Sequence, residues 1–214
     1  MTSISRRTAL RSFSCVALAL VAGRVARADE TADAAARQRI AELQAGLLAV
    51  MKAGRAVPFT QRCAMLAPVL QRSFDMTATL RMVVGPRWTT LSTDRQAQLL
   101  AAFARYSVAN WVANFDSWSG QTFRILPGGR GIGSDGCVVE TELVPLSGTA
   151  HRLDFVMHRT SDGWRALDVL ADGSISRAAV LRSDFRSLLA DGTGAALTAS
   201  LDRKVVDLSQ GASA

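Results

Sequence analysis

Apolar residues recur every three or four positions along the first half of this chain and every second position through its middle. Ile40, Leu43, Leu47 and Val50 with Met51 share one helical face, which predicts a helix over 31–53 closed by Gly54. Phe59, Cys63, Leu66 and Leu70 repeat the pattern behind Pro58, a residue suited to a helix start, and predict a second helix to about Ser73. Asp75 or Thr77 caps a short third helix that reaches Val84 and stops at Gly85-Pro86. Ser92 or Thr93 begins the longest helix, with Thr93 and Gln96 spaced for a capping box. It is expected to reach Ser117, a length of about 37 Å at roughly 1.5 Å per residue. Its apolar stripe holds Leu99, Leu100, Phe103, Trp111, Phe115 and Trp118, with the polar Ser107 in the same row.

After Gly120 the period changes to two. Strands are predicted at 121–126, 137–145, 151–160 and 163–170. Leu153, Phe155 and Met157 alternate with Arg152, Asp154 and His158, the mark of a half-buried strand. Gly148 and Ser161-Asp162-Gly163 supply hairpin turns, so the four strands should form an antiparallel meander. Two helices follow, at about 176–190 and 193–207, and the chain frays from Ser209. Helices, then a meander, then helices is an α+β layout: a four-stranded antiparallel sheet with helices on one face. A strongly curved sheet of this kind leaves a concave apolar space between the layers.

The first 28 residues stand outside this pattern. They carry Arg6, Arg7, Arg11, Arg24 and Arg27 and no acid, with an apolar run from Phe13 to Ala22 and an Ala26-x-Ala28 site before Asp29. That is the layout of a cleaved export signal, too short in its apolar part to span a bilayer. Ser5-Arg6-Arg7 resembles a twin-arginine signal, against the alternative of a general secretory one. The expected organisation is therefore a signal peptide at 1–28, one domain at 29–208 and a flexible tail at 209–214, with the mature protein exported. Removing the leader changes the charge argument. The formal net charge of +7 falls to +2, with 20 Lys and Arg against 18 acids, which speaks against nucleic acid as a partner.

Two cysteines remain, Cys63 and Cys137, each in an apolar pattern; one disulfide and two separate buried thiols are both open readings. His151 and His158 are seven apart in a strand and point to opposite faces, so they cannot share a metal. No zinc-type spacing, nucleophile elbow, phosphate loop or dinucleotide fingerprint occurs, so neither metal nor cofactor is expected. Gly128-Gly129-Arg130-Gly131-Ile132-Gly133 joins two strands and reads as a loop. Asp154 and Asp168, with the sole tyrosine Tyr106, are the candidates for acid–base chemistry, against ion pairing with Arg152 or Arg165. More conspicuous are large apolar side chains at regular spacing: Phe74, Trp88, Phe103, Trp111, Phe115, Phe123, Phe155 and Trp164. A plain core and a ligand cavity are both lined this way, and periodicity does not separate them.

Several segments resemble the MlaC/toluene-tolerance family of periplasmic lipid carriers, including its hopanoid-associated branch. They are FTQRCAMLAPVLQRSFD at 59–75, GPRW at 85–88, FARYSVANWVANFDSWSGQTF at 103–123, WRALDVLADGSIS at 164–176 and RSDF at 182–185. Trp111 stands where the family usually has Tyr, and Cys63 where a larger residue is common. The resemblance implies an NTF2-like cone: a curved sheet and helices around a deep hydrophobic cavity. It implies a carrier of phospholipid or hopanoid between an inner-membrane ABC transporter complex and an outer-membrane lipoprotein complex, with no catalysis. On that basis the lipid lining is expected from Phe74, Leu80, Val84, Trp88, Phe103, Trp111, Phe115, Phe123, Val139, Phe155 and Trp164. Arg81, Arg87 and Arg165 are rim candidates. The physics agrees, because two bare chains of about 15 methylenes would cost roughly 24 kcal/mol in water at about 0.8 kcal/mol per CH₂. The competing readings are an enzyme on the same cone with Asp154 or Asp168 as base, and a non-catalytic adaptor of a membrane complex with a filled interior.

Overall fold

The structure, a computed structural model, describes residues 16–133 and 135–211. The basic stretch with Arg6, Arg7 and Arg11, and residues 212–214, lie outside the described residues. Helix α1 (Val16–Ala53) runs unbroken through Asp29. Its part up to Ala34 is one compact unit, and Ala35 onward belongs to a second unit that holds everything below.

In that unit the helices follow the apolar periodicity. Ile40, Leu43, Leu47 and Val50 on α1 are fully buried. Helix α2 (Phe59–Ser73) buries Phe59, Leu66 and Leu70. A methyl group on Gly46 would stand 2.9 Å from Val69, so glycine is what lets α1 and α2 approach. Asp75 caps α3 (Met76–Val84) by accepting from the Ala78 N–H at 2.8 Å, and a 3-10 turn over Gly85–Thr90 follows. Ser92, not Thr93, caps α4 (Thr93–Asn114), accepting from the Arg95 N–H. The expected capping box is absent because the Gln96 amide turns back instead to the Trp88 and Leu91 carbonyls. Helix α4 also ends before the expected Ser117, which puts Trp118 in a loop, exposed beneath Lys52.

The sheet has seven strands rather than four. β1 (Thr122–Ile125), β5 (His151–Thr160) and β6 (Gly163–Ala171) are three of the expected ones. The fourth is broken at Glu140 into β3 (Gly136–Val139) and β4 (Thr141–Val144). β2 (Arg130–Ile132) forms inside the glycine-rich segment read as loop, and β7 (Ile175–Ser176) adds a short edge after the Asp172-Gly173 turn. All pairs are antiparallel; β5 is central, pairing β4 with its start, β3 with its end, and β6 along its length. Two devices bend the sheet. At the β3/β4 break the buried Asp154 carboxylate accepts from the Thr141 N–H at 3.2 Å and is held by Arg152 at 2.7 and 3.1 Å. Between β5 and β6 the register slips after Val156 of β5, leaving Leu167 of β6 as a bulge. The bulge is pinned to the helices: Ala166 accepts from the Asp75 N–H at 3.0 Å and Leu167 accepts from the Thr79 hydroxyl at 2.8 Å.

After the sheet come α5 (Arg177–Phe185), a 3-10 turn over Ser187–Leu189, and α6 (Ala195–Gly211). The helix expected at 176–190 is thus split, and α6 takes in Ser209–Gly211, where fraying was expected. A helical core gathers at one end of the unit from α3, α5, α6 and the first half of α4, with Leu80, Val84, Trp88, Leu99, Phe185, Leu197 and Leu201. At about 1.5–3 kcal/mol for each large side chain removed from water, this cluster anchors α4 firmly at one end. The other half of α4 runs beyond most of this cluster and faces residues of the sheet.

Candidate functional site: an apolar cavity under the long helix

From Phe103 onward α4 presents Phe103, Tyr106, Ser107, Asn110, Trp111, Asn114 and Phe115 to one side, the three- and four-residue rhythm of a single helix face. That stretch is about 18 Å long at roughly 1.5 Å per residue. Opposite stand Leu143, Leu153, Leu167, Val169 and Ala171 of the sheet, with Phe74, Met76 and Thr79 at the α2–α3 junction and Arg177, Ala178 and Leu181 on α5. These walls enclose a partly open cavity of about 380 Å³. That lies near the lower end of the about 300–1,000 Å³ typical of small-molecule sites.

Aromatic rings run along it. Phe74 meets Trp111 at 5.9 Å between ring centres, and Trp111 stacks on Phe115 at 5.3 Å. Phe155 closes on Phe74 edge-on at 6.3 Å, and Phe123 lies 5.9 Å from Phe115. Tilted and offset contacts of this kind fix the rings beyond what burial alone supplies.

The polar groups of the wall are few. The Asn114 amide donates to the Asn110 carbonyl at 2.7 Å. Burial pushes the Tyr106 phenol above its ordinary range; nearby Arg177 opposes the shift and Asp184 adds to it. The phenol therefore stays protonated at neutral pH. Asp168 accepts from the Val169 N–H at 2.7 Å, the Ala178 N–H at 2.9 Å and the Ser176 hydroxyl. Its charge is committed to the start of α5. Asp154 follows Leu153 on its strand, so its side chain points to the face away from the cavity, where it holds Arg152 and the β3/β4 break. Neither acid offers a free carboxylate to a bound molecule.

Of the eleven residues expected as lining, the structure brings four to the wall: Phe74, Phe103, Trp111 and Phe115. Phe155 and Phe123 stand one ring behind it. Leu80, Val84 and Trp88 are instead in the helical core, because α5 and α6 cover the end of the molecule that carries them. Val139 is fully buried in β3, in a run with Cys137 and Val138 that leaves both faces of that strand covered. Trp164 is buried with Arg159 over its ring. The three rim candidates lie elsewhere: Arg81 rests over Trp88, Arg87 donates to the Arg186 carbonyl, and Arg165 meets Asp162. Sequence reasoning missed the sheet residues Leu143, Leu167, Val169 and Ala171, and the polar Asn110, Asn114 and Arg177. The asparagines had a readable signal, since they continue the row already marked by Ser107.

Cys63 and Cys137 are separate thiols, and burial pushes the Cys63 thiol up, against a smaller opposing effect of Arg62. Among the described residues no three His, Cys, Asp or Glu side chains gather as metal ligands, and no helix is long and apolar enough to cross a membrane.

The sequence matches the family model described as MlaC protein over residues 41–203. No curated protein matches it. Among solved structures, it is similar to a phospholipid-binding protein from Ralstonia solanacearum in complex with a phospholipid. That likeness has a TM-score of 0.69 at 16% identity and covers 83% of this chain and 98% of the other. At that identity the likeness establishes a shared α+β fold.

Proposed function

The chain belongs to the MlaC family, and on that premise we propose that it is a non-catalytic periplasmic carrier of phospholipid, with the cavity under α4 as the place where acyl chains are held. The observation that carries this reading is the hollow itself: about 380 Å³ walled mostly by apolar side chains, at the point where α4 departs from the helical core. The phospholipid bound by the Ralstonia solanacearum protein of the same fold supports phospholipid as the cargo. At about 0.8 kcal/mol per methylene, sheathing a tail removes most of the barrier to carrying it through water.

In this reading the lipid passes between an inner-membrane ABC transporter complex and an outer-membrane lipoprotein complex, the protein having been exported with a cleaved signal at 1–28. An enzyme reading is less well supported, because Asp168 is committed to three donors and Asp154 faces away from the cavity. The test is a native mass spectrum of the purified protein, followed by lipid extraction and identification. Phospholipid in the bound fraction is the expected result. A hopanoid there would keep the carrier and change its cargo, and protein that never holds lipid would end the proposal.

A further inference from the structure

We propose that the exposed edge of the cavity wall at Arg177 is the headgroup site, where Arg177 holds the phosphate of a glycerophospholipid and so selects phosphate-bearing lipid over neutral lipid with the same tails. This rests on the reading of the cavity as a lipid site.

Arg177 and Asp168 are the only charged residues on the described cavity wall. Asp168 accepts from the Val169 and Ala178 N–H groups and the Ser176 hydroxyl, so its carboxylate is held at the start of α5. Arg177 has no such partner: among the described residues neither a carboxylate nor a hydrogen-bond acceptor engages its guanidinium. It is exposed at the first turn of α5 while still lining the cavity, the posture of a long side chain with an apolar stem on the wall and a charged head in the opening. Two backbone donors at the start of α5 are already taken. The Ala178 N–H is bonded to Asp168 and the Ala179 N–H to the Ser176 hydroxyl. The planar guanidinium offers the paired N–H groups that fit two phosphate oxygens. Tyr106, held protonated beside it, supplies an O–H donor on the same wall. The far end of the cavity, at Phe115 and Leu143, carries no charged side chain and suits the tails.

The test offers delipidated protein equal amounts of a palmitoyl-oleoyl phosphatidylethanolamine and the diacylglycerol with the same two chains, and reads occupancy by native mass spectrometry. The unaltered protein should favour the phospholipid about tenfold, a difference of about 1.4 kcal/mol. Arg177→Met should bring the two lipids level, and Arg177→Lys should restore part of the preference. Added inorganic phosphate should erode the preference of the unaltered protein without displacing diacylglycerol. Folding of the variants is checked by tyrosinate absorbance, whose midpoint should move up in Arg177→Met once the neighbouring cation is gone. An unaltered protein without preference, or an Arg177→Met protein that keeps it, would overturn the headgroup assignment while leaving the carrier standing. Uptake of neither lipid by the unaltered protein would overturn both, and phosphate binding without lipid uptake would reduce the mouth to a plain anion site.

Discussion

Ala171→Trp tests whether the space under α4 is hollow. Ala171 lies near the end of β6, opposite Leu153, and both face the cavity. An indole placed there enters the 380 Å³ space rather than a packed interior. A tryptophan side chain buries about 150–250 Å² of surface, worth roughly 4–6 kcal/mol at about 25 cal/mol per Å². Even half of that exceeds the about 1–2 kcal/mol of side-chain entropy given up on ordering it. The variant should therefore melt no lower than the parent. A filled interior would respond oppositely, since overpacking costs about 1–3 kcal/mol. At about 2–4 °C per kcal/mol for a chain of this size, that is a drop of several degrees. The same indole competes with the lipid. Excluding about five methylenes at roughly 0.8 kcal/mol each removes about 4 kcal/mol of binding, about a thousandfold in Kd. The assay pairs a thermal melt with lipid occupancy after refolding from lipid-free protein. A lowered melting temperature would refute the hollow, and an unchanged Kd would refute its use by lipid.

Three other outcomes are expected. The chain has one tyrosine, so absorbance at the tyrosinate band titrates Tyr106 alone. Its midpoint should lie above the usual value of about 10 and rise further on lipid loading; the stability conferred by the protonated phenol is complete below its unfolded-state pKa and lost as pH climbs through the raised one, and a midpoint at or below the free value contradicts the burial of its ring. Trp111→Asp places a carboxylate between Phe74 and Phe115 and should weaken lipid binding by at least about 2 kcal/mol, roughly thirtyfold, with helical circular dichroism intact; undiminished occupancy would remove Trp111 from the lining. Asp168→Asn should cost about 1 kcal/mol at the start of α5, seen as a melting temperature lower by about 2–4 °C, while lipid still co-purifies; an unchanged melt would show that Asp168 does not secure α5.

Periodicity placed the helical faces and located the four principal strand segments, because burial on one side of a regular element leaves a mark at 3.6 or 2 residues. The breaks were hidden for a reason that is not local. Nothing in the run from Cys137 to Pro145 announces a division at Glu140; it depends on Asp154, from the neighbouring strand, reaching the Thr141 N–H. β2 formed in a glycine-rich segment because Gly136 and Cys137 offered a ladder to Ile132 and Gly131, a partner the segment does not encode by itself. The cavity shows the same limit. Leu80, Val84 and Trp88 carry the same apolar signal as Trp111 and Phe115, and only the docking of α5 and α6 decides that the first group is packed solid.

One row nevertheless separates a hollow from a filled interior at the level of sequence. A packed core penalises an amide that has lost water without gaining a partner, by about 1–3 kcal/mol on protein mutational scales. Ser107, Asn110 and Asn114 share their helix face with Phe103, Trp111 and Phe115, yet the only side-chain hydrogen bonds among these three polar residues run from Asn114 back to Asn110. Such a row is tolerable where the face borders an opening that admits water when empty. It is not tolerable against close-packed side chains. The alternation of aromatic and amide groups along one side of α4 thus fits the wall of the proposed carrier, wet without cargo and apolar enough to hold hydrocarbon. On the proposed carrier function, the aromatic members would supply area for the tail, and the amides would make hydration of the empty cavity less costly.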